Sequence, residues 1–255
     1  PDGKDPLFDR LGLAARIHHV DGDIRDAEAL AKMVNDFAPA GICHLAAQSL
    51  VLRSYRDPKE TFDTNVGGSV NLLEAVRDAP EVRALVFVTS DKCYLNREWE
   101  FGYREEDRLG GSDPYAASKA AAEIVFDAYR QSFFTARTDF GAVSVRAGNV
   151  IGGGDWAEDR IVPDCIRALA DRRPVILRNP GAVRPWQHVL EPLSGYLTLL
   201  ARLIEQPDSF SGPWNFGPAP GNMCPVRELA ERVVAGWGNG RIEEVVAGDA
   251  PHETN

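Results

Sequence analysis

The stretch Ala84-Leu85-Val86-Phe87-Val88-Thr89-Ser90-Asp91-Lys92 decides how the rest of the chain is read. It opens with an apolar run that has no polar alternation, the pattern of a parallel strand buried on both faces. A hydroxyl, a carboxylate and an amine then stand side by side where the strand ends. Ligands of open α/β sheets sit at the carboxyl ends of the strands, which makes Ser90, Asp91 and Lys92 candidate site residues. A polar loop is the plainer reading of any such triplet taken alone.

Outward from this strand the pattern repeats. Ala40–Ala46 is a second compact apolar run, Ala142–Arg146 and Pro174–Arg178 are further strand segments, and Arg16–Val20 reads as a short strand. Helical stretches lie between them. Asp26 is placed to N-cap a helix that runs to about Phe37. Lys59–Arg77 carries Val70, Leu73 and Val76 at helical spacing, and Asp113–Ser132, Ile161–Asp171, Pro192–Ile204 and Val226–Val234 complete the set. Strands separated by helices imply right-handed βαβ crossovers and a doubly wound parallel sheet. Glycine and proline thicken beyond about residue 150. The expectation is a main domain over 1–150 and, over 151–255, a smaller α/β substrate-binding lobe with segments returning to the main sheet.

Composition narrows the function. The chain has 255 residues, 44% of them hydrophobic, enough for a sizeable core. Lys plus Arg is 28 and Asp plus Glu is 38, a net charge of −10 that disfavours nucleic acid or an anionic membrane as partner. An anionic ligand would have to be held by a few local cations. No apolar run is long enough for a membrane span. Cys43, Cys93, Cys165 and Cys224 form no CxxC pair and the five histidines have no metal-ligand spacing, so reduced thiols and no metal are expected.

Asp113-Pro114-Tyr115-Ala116-Ala117-Ser118-Lys119 carries the second chemical signal. Asp113 suits an N-cap and Pro114 the first helical position. Tyr115 and Lys119 are then i and i+4 on one helix face. An adjacent ammonium and a helix N-terminus both favour phenolate, which makes Tyr115 a candidate general base for a hydroxyl proton.

A strand ending in Ser90, followed by Tyr115-x-x-x-Lys119, resembles the active site of the extended short-chain dehydrogenase/reductase family. Ser90–Tyr94, Asn96–Trp99, Arg146–Trp156 and Arg184–Glu191 resemble, within it, the CDP-glucose 4,6-dehydratases. The resemblance runs from about Val20 to Trp237 and implies a Rossmann-like fold, NAD as cofactor and a lyase reaction. CDP-glucose would be oxidised at C4, lose water across C5–C6 and receive hydride back at C6, giving CDP-4-keto-6-deoxyglucose. It also implies a cytoplasmic homo-oligomer, a dimer or tetramer, working in deoxysugar synthesis for lipopolysaccharide O-antigen.

Residue by residue, the resemblance implies that Asp23 and Ile24 approach the adenine. Leu45, Ala46, Ala47 and Gln48 line the dinucleotide, and Thr64-Asn65 helps organise the site. Ser90 would orient the sugar 4-hydroxyl, Tyr115 remove its proton, and Lys119 lower the tyrosine pKa and hold the nicotinamide ribose. Asp91 occupies the acid position of related dehydratases. Lys92 stands where those have glutamate, and its role stays open. Arg160, Arg178 and Arg184 are candidates for the substrate diphosphate, with Trp186 and His188 beside Arg184 and Asn149 at a substrate-contacting position. Gly152-Gly153-Gly154-Asp155-Trp156-Ala157 matches G-x-G-x-x-A but follows a late strand, so it reads as a substrate-side loop.

The family's opening strand and glycine-rich turn are absent from these residues. The chain is therefore expected to be a fragment, truncated at the N-terminus and cut at the C-terminal end, that alone binds little NAD. A nucleotide-sugar 4-epimerase on the same scaffold is the alternative activity, although an epimerase needs no acid at Asp91. A non-catalytic remnant of the fold is the third reading.

Overall fold

The computed structural model describes residues 7–99, 101–219 and 223–245. The principal elements in chain order are α1 (Ala27–Phe37), β1 (Gly41–His44), α2 (Gly68–Arg77), β2 (Ala84–Val88), α3 (Pro114–Tyr129), β3 (Gly141–Ala147), α4 (Ile161–Ala170), β4 (Val175–Leu177), α5 (Leu190–Glu205), β5 (Gly212–Phe216), α6 (Val226–Trp237) and β6 (Ile242–Glu244). The chain divides into two compact units. One comprises Gly22–Gly148 and Leu190–Phe216; the other comprises Pro1–Asp21, Asn149–Val189 and Gly217–Asn255.

The first unit is a parallel sheet in the order β1-β2-β3-β5. The unalternated apolar runs are explained by helices on both faces. Leu85, Phe87 and Ala142 pack with α1, α2 and α3 on one side. Ala84, Val86, Val143 and Val145 pack with Tyr196, Leu199 and Leu203 of α5 on the other. Gly41, Ala84 and Gly141 are in register across three strands. A Cβ on Gly141 would lie 2.7 Å from Leu203 and one on Gly41 3.0 Å from Leu200, so this row of minimal side chains lets α5 lie close to the sheet.

The helix starts follow the sequence. Asp26 accepts from the Ala29 amide at 3.0 Å, and Asp113 accepts from the Ala116 amide at 2.9 Å with Pro114 next to it. The expected helix over Lys59–Arg77 is present as continuous helical backbone, with one π turn inside it. Pro58–Phe62 forms a short α-segment capped by Asp57, Asp63–Gly67 is a π turn, and α2 resumes at Gly68. Arg16–Val20 is not a strand. It is turn and irregular backbone, with Ile17 and Val20 half exposed, because no neighbouring strand supplies its ladder. Gly212–Phe216 is a strand the apolar pattern did not announce; Pro213 interrupts it, as an edge position tolerates.

In the second unit, β4 pairs in parallel with β6, and α4 and α6 close over them around Cys165, Leu169, Val175, Leu177 and Ala230. Gly238 and Gly240 take positive φ values of 95° and 137° and turn the chain between α6 and β6.

Phe87 is 1% exposed and stacks on Phe126 at 5.1 Å between ring centres. Phe87→Ala is expected to destabilise the fold by about 3–5 kcal/mol, read as a lowered urea midpoint with little change in m-value. A loss below about 1 kcal/mol would contradict the two-sided core.

Candidate active site

Ser90 closes β2 in extended conformation and caps the 3-10 turn Asp91–Cys93. Its Oγ accepts from the Lys92 amide at 3.2 Å and donates to Asp91 Oδ1 at 3.1 Å. The turn packs against α3 through Cys93, Tyr94 and Ala120. Strand end and helix start thus bring Ser90, Asp91 and Lys92 to the element that carries Tyr115 and Lys119. Gly111 sets the approach to that helix start, since a Cβ there would fall 2.4 Å from the Ala116–Ala117 peptide. Ser90, Tyr115 and Lys119 are all buried.

Two buried polar networks hold this arrangement. In the first, the Gln48 amide donates to Asn65 Oδ1 at 2.8 Å. Asn65 Nδ2 donates back to the Gln48 carbonyl and to Ser118 Oγ, each at 2.9 Å, and Ser118 Oγ donates to the Tyr115 carbonyl at 2.7 Å. The π turn that places Asn65 inward therefore joins the loop after β1 to the Tyr115 turn. In the second, Glu123 Oε2 accepts from Ser144 Oγ at 2.8 Å and from Arg146 Nη2 at 2.7 Å, while Oε1 accepts from Thr89 Oγ1. Arg146 Nη1 donates to the Tyr94 hydroxyl at 2.7 Å and to the Glu105 carbonyl at 2.9 Å.

Burial lowers the Lys119 pKa from its ordinary value to about 8, against the opposing pull of Glu123. No hydrogen-bond acceptor for its ammonium is found among the described residues. Burial, with Lys119 nearby, also lowers the His44 pKa to about 4, so this imidazole is neutral at neutral pH. Burial and the charge of Glu123 push the Cys93 thiol up, making it an inert core group.

Asp23, Ala47, Gln48 and Thr64 line one cleft of about 270 Å³, with Arg25 and Arg53 at its margin. Hydrogen bonds from the Arg25 side chain and backbone hold the Asp23 carboxyl at about 2. Leu45 is exposed beside the cleft-lining loop. The Gln48 side chain is used within the protein, bonding Thr61 and both the amide and carbonyl of Leu50. Ile24 lies against Gly68, and its carbonyl accepts from Asn71. A cleft at the strand ends and a buried ammonium with no acceptor fit a dinucleotide whose ribose hydroxyls supply one.

The remaining expected residues fall in the second unit. Asn149 accepts from the Gln187 amide through its carbonyl. Arg178 pairs with Asp159 at 2.9 Å, and Arg160 lies 3.9 Å from Asp155. Arg184 is buried on a short strand paired with Cys224–Pro225, Trp186 Nε1 donates to the Cys224 carbonyl, and His188 lies on a strand paired with Val150–Ile151. Gly152–Gly154 is a turn that leads into no adjacent helix.

With this geometry in view, comparison is informative. Residues 6–239 match the family model described as GDP-mannose 4,6 dehydratase. The chain belongs to that family. A CDP-glucose 4,6-dehydratase from Salmonella typhimurium is 48% identical over 98% of this chain and 70% of its own length. A dTDP-glucose 4,6-dehydratase structure from Streptomyces venezuelae with NAD bound superposes with a TM-score of 0.78 at 27% identity, covering 93% of this chain and 71% of the other. A Thermus thermophilus UDP-glucose 4-epimerase in complex with NAD gives 0.74 at 28% identity, covering 89% and 70%.

Sequence reasoning assigned no role to Glu123 or Arg146. The available signal was spacing, since Glu123 is i+4 from Lys119 as Lys119 is from Tyr115.

A lysine whose folded pKa is depressed makes folding costlier while it stays charged. Below about pH 8 both states are protonated and the full burial penalty applies; between about 8 and the unfolded value of 10.5 the penalty fades as pH rises. The shift corresponds to about 3 kcal/mol at neutral pH. Lys119→Met is therefore expected to raise the thermal midpoint at pH 7 while abolishing turnover, with the stability gain shrinking toward pH 10. A fall in the midpoint at pH 7 would contradict this.

Proposed function

We infer that the protein is an NAD-dependent nucleotide-sugar 4,6-dehydratase that takes CDP-glucose to CDP-4-keto-6-deoxyglucose. The observation that carries the reading is the buried Lys119 ammonium one turn from Tyr115, on a helix packed against the turn that bears Ser90 and Asp91. Support for the substrate comes from the 48% identity with the Salmonella CDP-glucose 4,6-dehydratase.

Bound NAD supplies the chemistry of accepting a hydride from C4 and returning it at C6. The roles of the chain's own residues follow from their placement. Ser90, with its Oγ held by the turn, orients the 4-hydroxyl. Tyr115 takes the hydroxyl proton, and the Lys119 charge a turn away favours the phenolate. Lys119 would also hold the nicotinamide ribose, giving its ammonium acceptors that are not found among the described residues. The 4-keto group acidifies the C5 proton. Asp91 donates a proton to the departing C6 hydroxyl, and Lys92, next on the same turn, is the remaining proton-transfer candidate for C5. Asp23, Leu45, Ala46, Ala47 and Thr64 are assigned to the dinucleotide cleft, with Ile24 and Gln48 shaping it from behind. The arginines of the second unit, Arg160, Arg178 and Arg184, are assigned to the substrate diphosphate, with Asn149, Trp186 and His188 as further substrate contacts.

The setting follows from the reaction: a cytoplasmic enzyme of deoxysugar synthesis feeding surface polysaccharide such as O-antigen. No helix among the described residues is long and apolar enough to cross a membrane.

With NAD and CDP-glucose, the intact protein is expected to form a product with the alkaline absorbance of a 4-keto-6-deoxy sugar. Tyr115→Phe is expected to slow this by about 10²–10⁴-fold in kcat. A product differing from substrate only in C4 configuration would establish the epimerase instead.

We also propose a homo-oligomer built on the outer faces of the Lys59–Arg77 helical segment and α3, where Phe62 is 39% and Ile124 60% exposed and Ala117, Ala121 and Val125 are small or half-buried. Ile124→Glu is expected to shift the sedimentation profile to monomer at micromolar concentration; an unchanged profile would exclude that face.

A further inference from the structure

Glu123 has no part in the chemistry just described, yet it is among the most buried side chains of the first unit, 2% exposed. Tyr115, Lys119 and Glu123 recur at i, i+4 and i+8 of α3, so they share one face. The Glu123 carboxylate has three donors, and each comes from the sheet. Thr89 immediately precedes Ser90, and Ser144 and Arg146 lie on β3. The carboxylate thus ties the helix of Tyr115 and Lys119 to the strand end of Ser90.

Such a site is costly. A buried ion pair repays its desolvation only with good geometry, and apolar replacements of similar volume are often as stable. The Arg146–Glu123 contact is 2.7 Å, and Arg146 Nε, also buried, has no partner among the described residues. Packing alone would be served by aliphatic side chains. A negative charge one turn below Lys119 does what they cannot.

We propose that Glu123 is a positioning residue which keeps the mostly buried Lys119 ammonium charged and fixes the Tyr115–Lys119 helix face against the Ser90 strand end. Arg146 is the counter-ion that makes the buried carboxylate tolerable. Its other nitrogen is directed to Tyr94 and the Glu105 carbonyl, and burial, which works to lower its pKa, is outweighed by Glu123, so the guanidinium stays charged. The titratable groups acting on Lys119 from neighbouring elements are His44 of β1, which is neutral at pH 7, and the Cys93 thiol of the 3-10 turn, itself under the influence of Asp91; Tyr115 is on its own helix. Among these, Glu123 is the principal group favouring the charged lysine.

The inference rests on the assignment of Tyr115 and Lys119 made above, but its test does not require dehydration. The chain has five lysines, Lys4, Lys32, Lys59, Lys92 and Lys119, so a protein labelled with [ε-13C]lysine gives a spectrum simple enough to assign by single Lys→Arg replacements. In the intact protein Lys119 is expected to titrate near pH 8. In Glu123→Gln, which keeps shape and hydrogen-bonding capacity, its proton affinity is expected to fall about tenfold or more. The alkaline limb of kcat/KM for CDP-glucose is expected to move down with it. Should that variant fail to fold, Glu123→Gln combined with Arg146→Met removes both buried charges and is expected to show a smaller fall in the same direction. A Lys119 midpoint unchanged in either variant, or one already below 7 in the unaltered protein, would overturn the proposal. A scaffold role alone would reduce kcat and leave the midpoint where it was. Failure to dehydrate CDP-glucose with a displaced Lys119 midpoint would instead refute the substrate assignment and leave the role of Glu123 standing.

Discussion

A positive charge withdrawn from water is the constraint around which the first unit is organised. An ammonium at Lys119 has little solvent around it and no hydrogen-bond acceptor among the described residues, and burial drags its proton affinity down. The structure answers with fixed charge and fixed geometry. The carboxylate of Glu123 lies on the same helix face, Arg146 balances that carboxylate, and Thr89 and Ser144 complete its hydrogen bonds. Each donor is rooted in a strand, so the electrostatic solution is also a mechanical one.

The network around Asn65 serves the same end from the other side. From within the π turn, Asn65 reaches both Gln48 and Ser118. The π turn at Asp63–Gly67 adds the residue that rotates the amide inward. The loop that lines the cleft and the helix that carries Tyr115 are then parts of one hydrogen-bonded assembly. Pre-arranged hydrogen bonds of this kind make a catalytic constellation cost little to assemble when substrate arrives.

Much of this was legible in the sequence, for identifiable reasons. β2 was found to the residue because a doubly covered strand must be apolar throughout, and α1 and α3 because Asp26 and Asp113 announce their starts. β5 was missed because Gly-Pro-Trp-Asn-Phe has neither an apolar run nor alternation; its pairing comes from β3. Arg16–Val20 has strand-forming residues but pairs with no strand among the described residues, and composition alone does not report pairing. Tyr115 and Lys119 could be picked out because a four-residue step is local, and Ser90 because it follows the end of an apolar strand. Glu123 and Arg146 escaped because they join through long-range contacts, although the four-residue step from Lys119 to Glu123 was in view throughout.

The row Gly41–Ala84–Gly141 has a bearing on how this family can change over time. Helix α5 rests on the sheet where those three positions present almost nothing, with Leu200 and Leu203 occupying the vacated volume. Growth at any one of them is admissible only alongside shrinkage in α5, so these sites should drift as linked sets, small on the strand whenever large on the helix. Lineages that differ at position 141 ought to carry a matching exchange at 203.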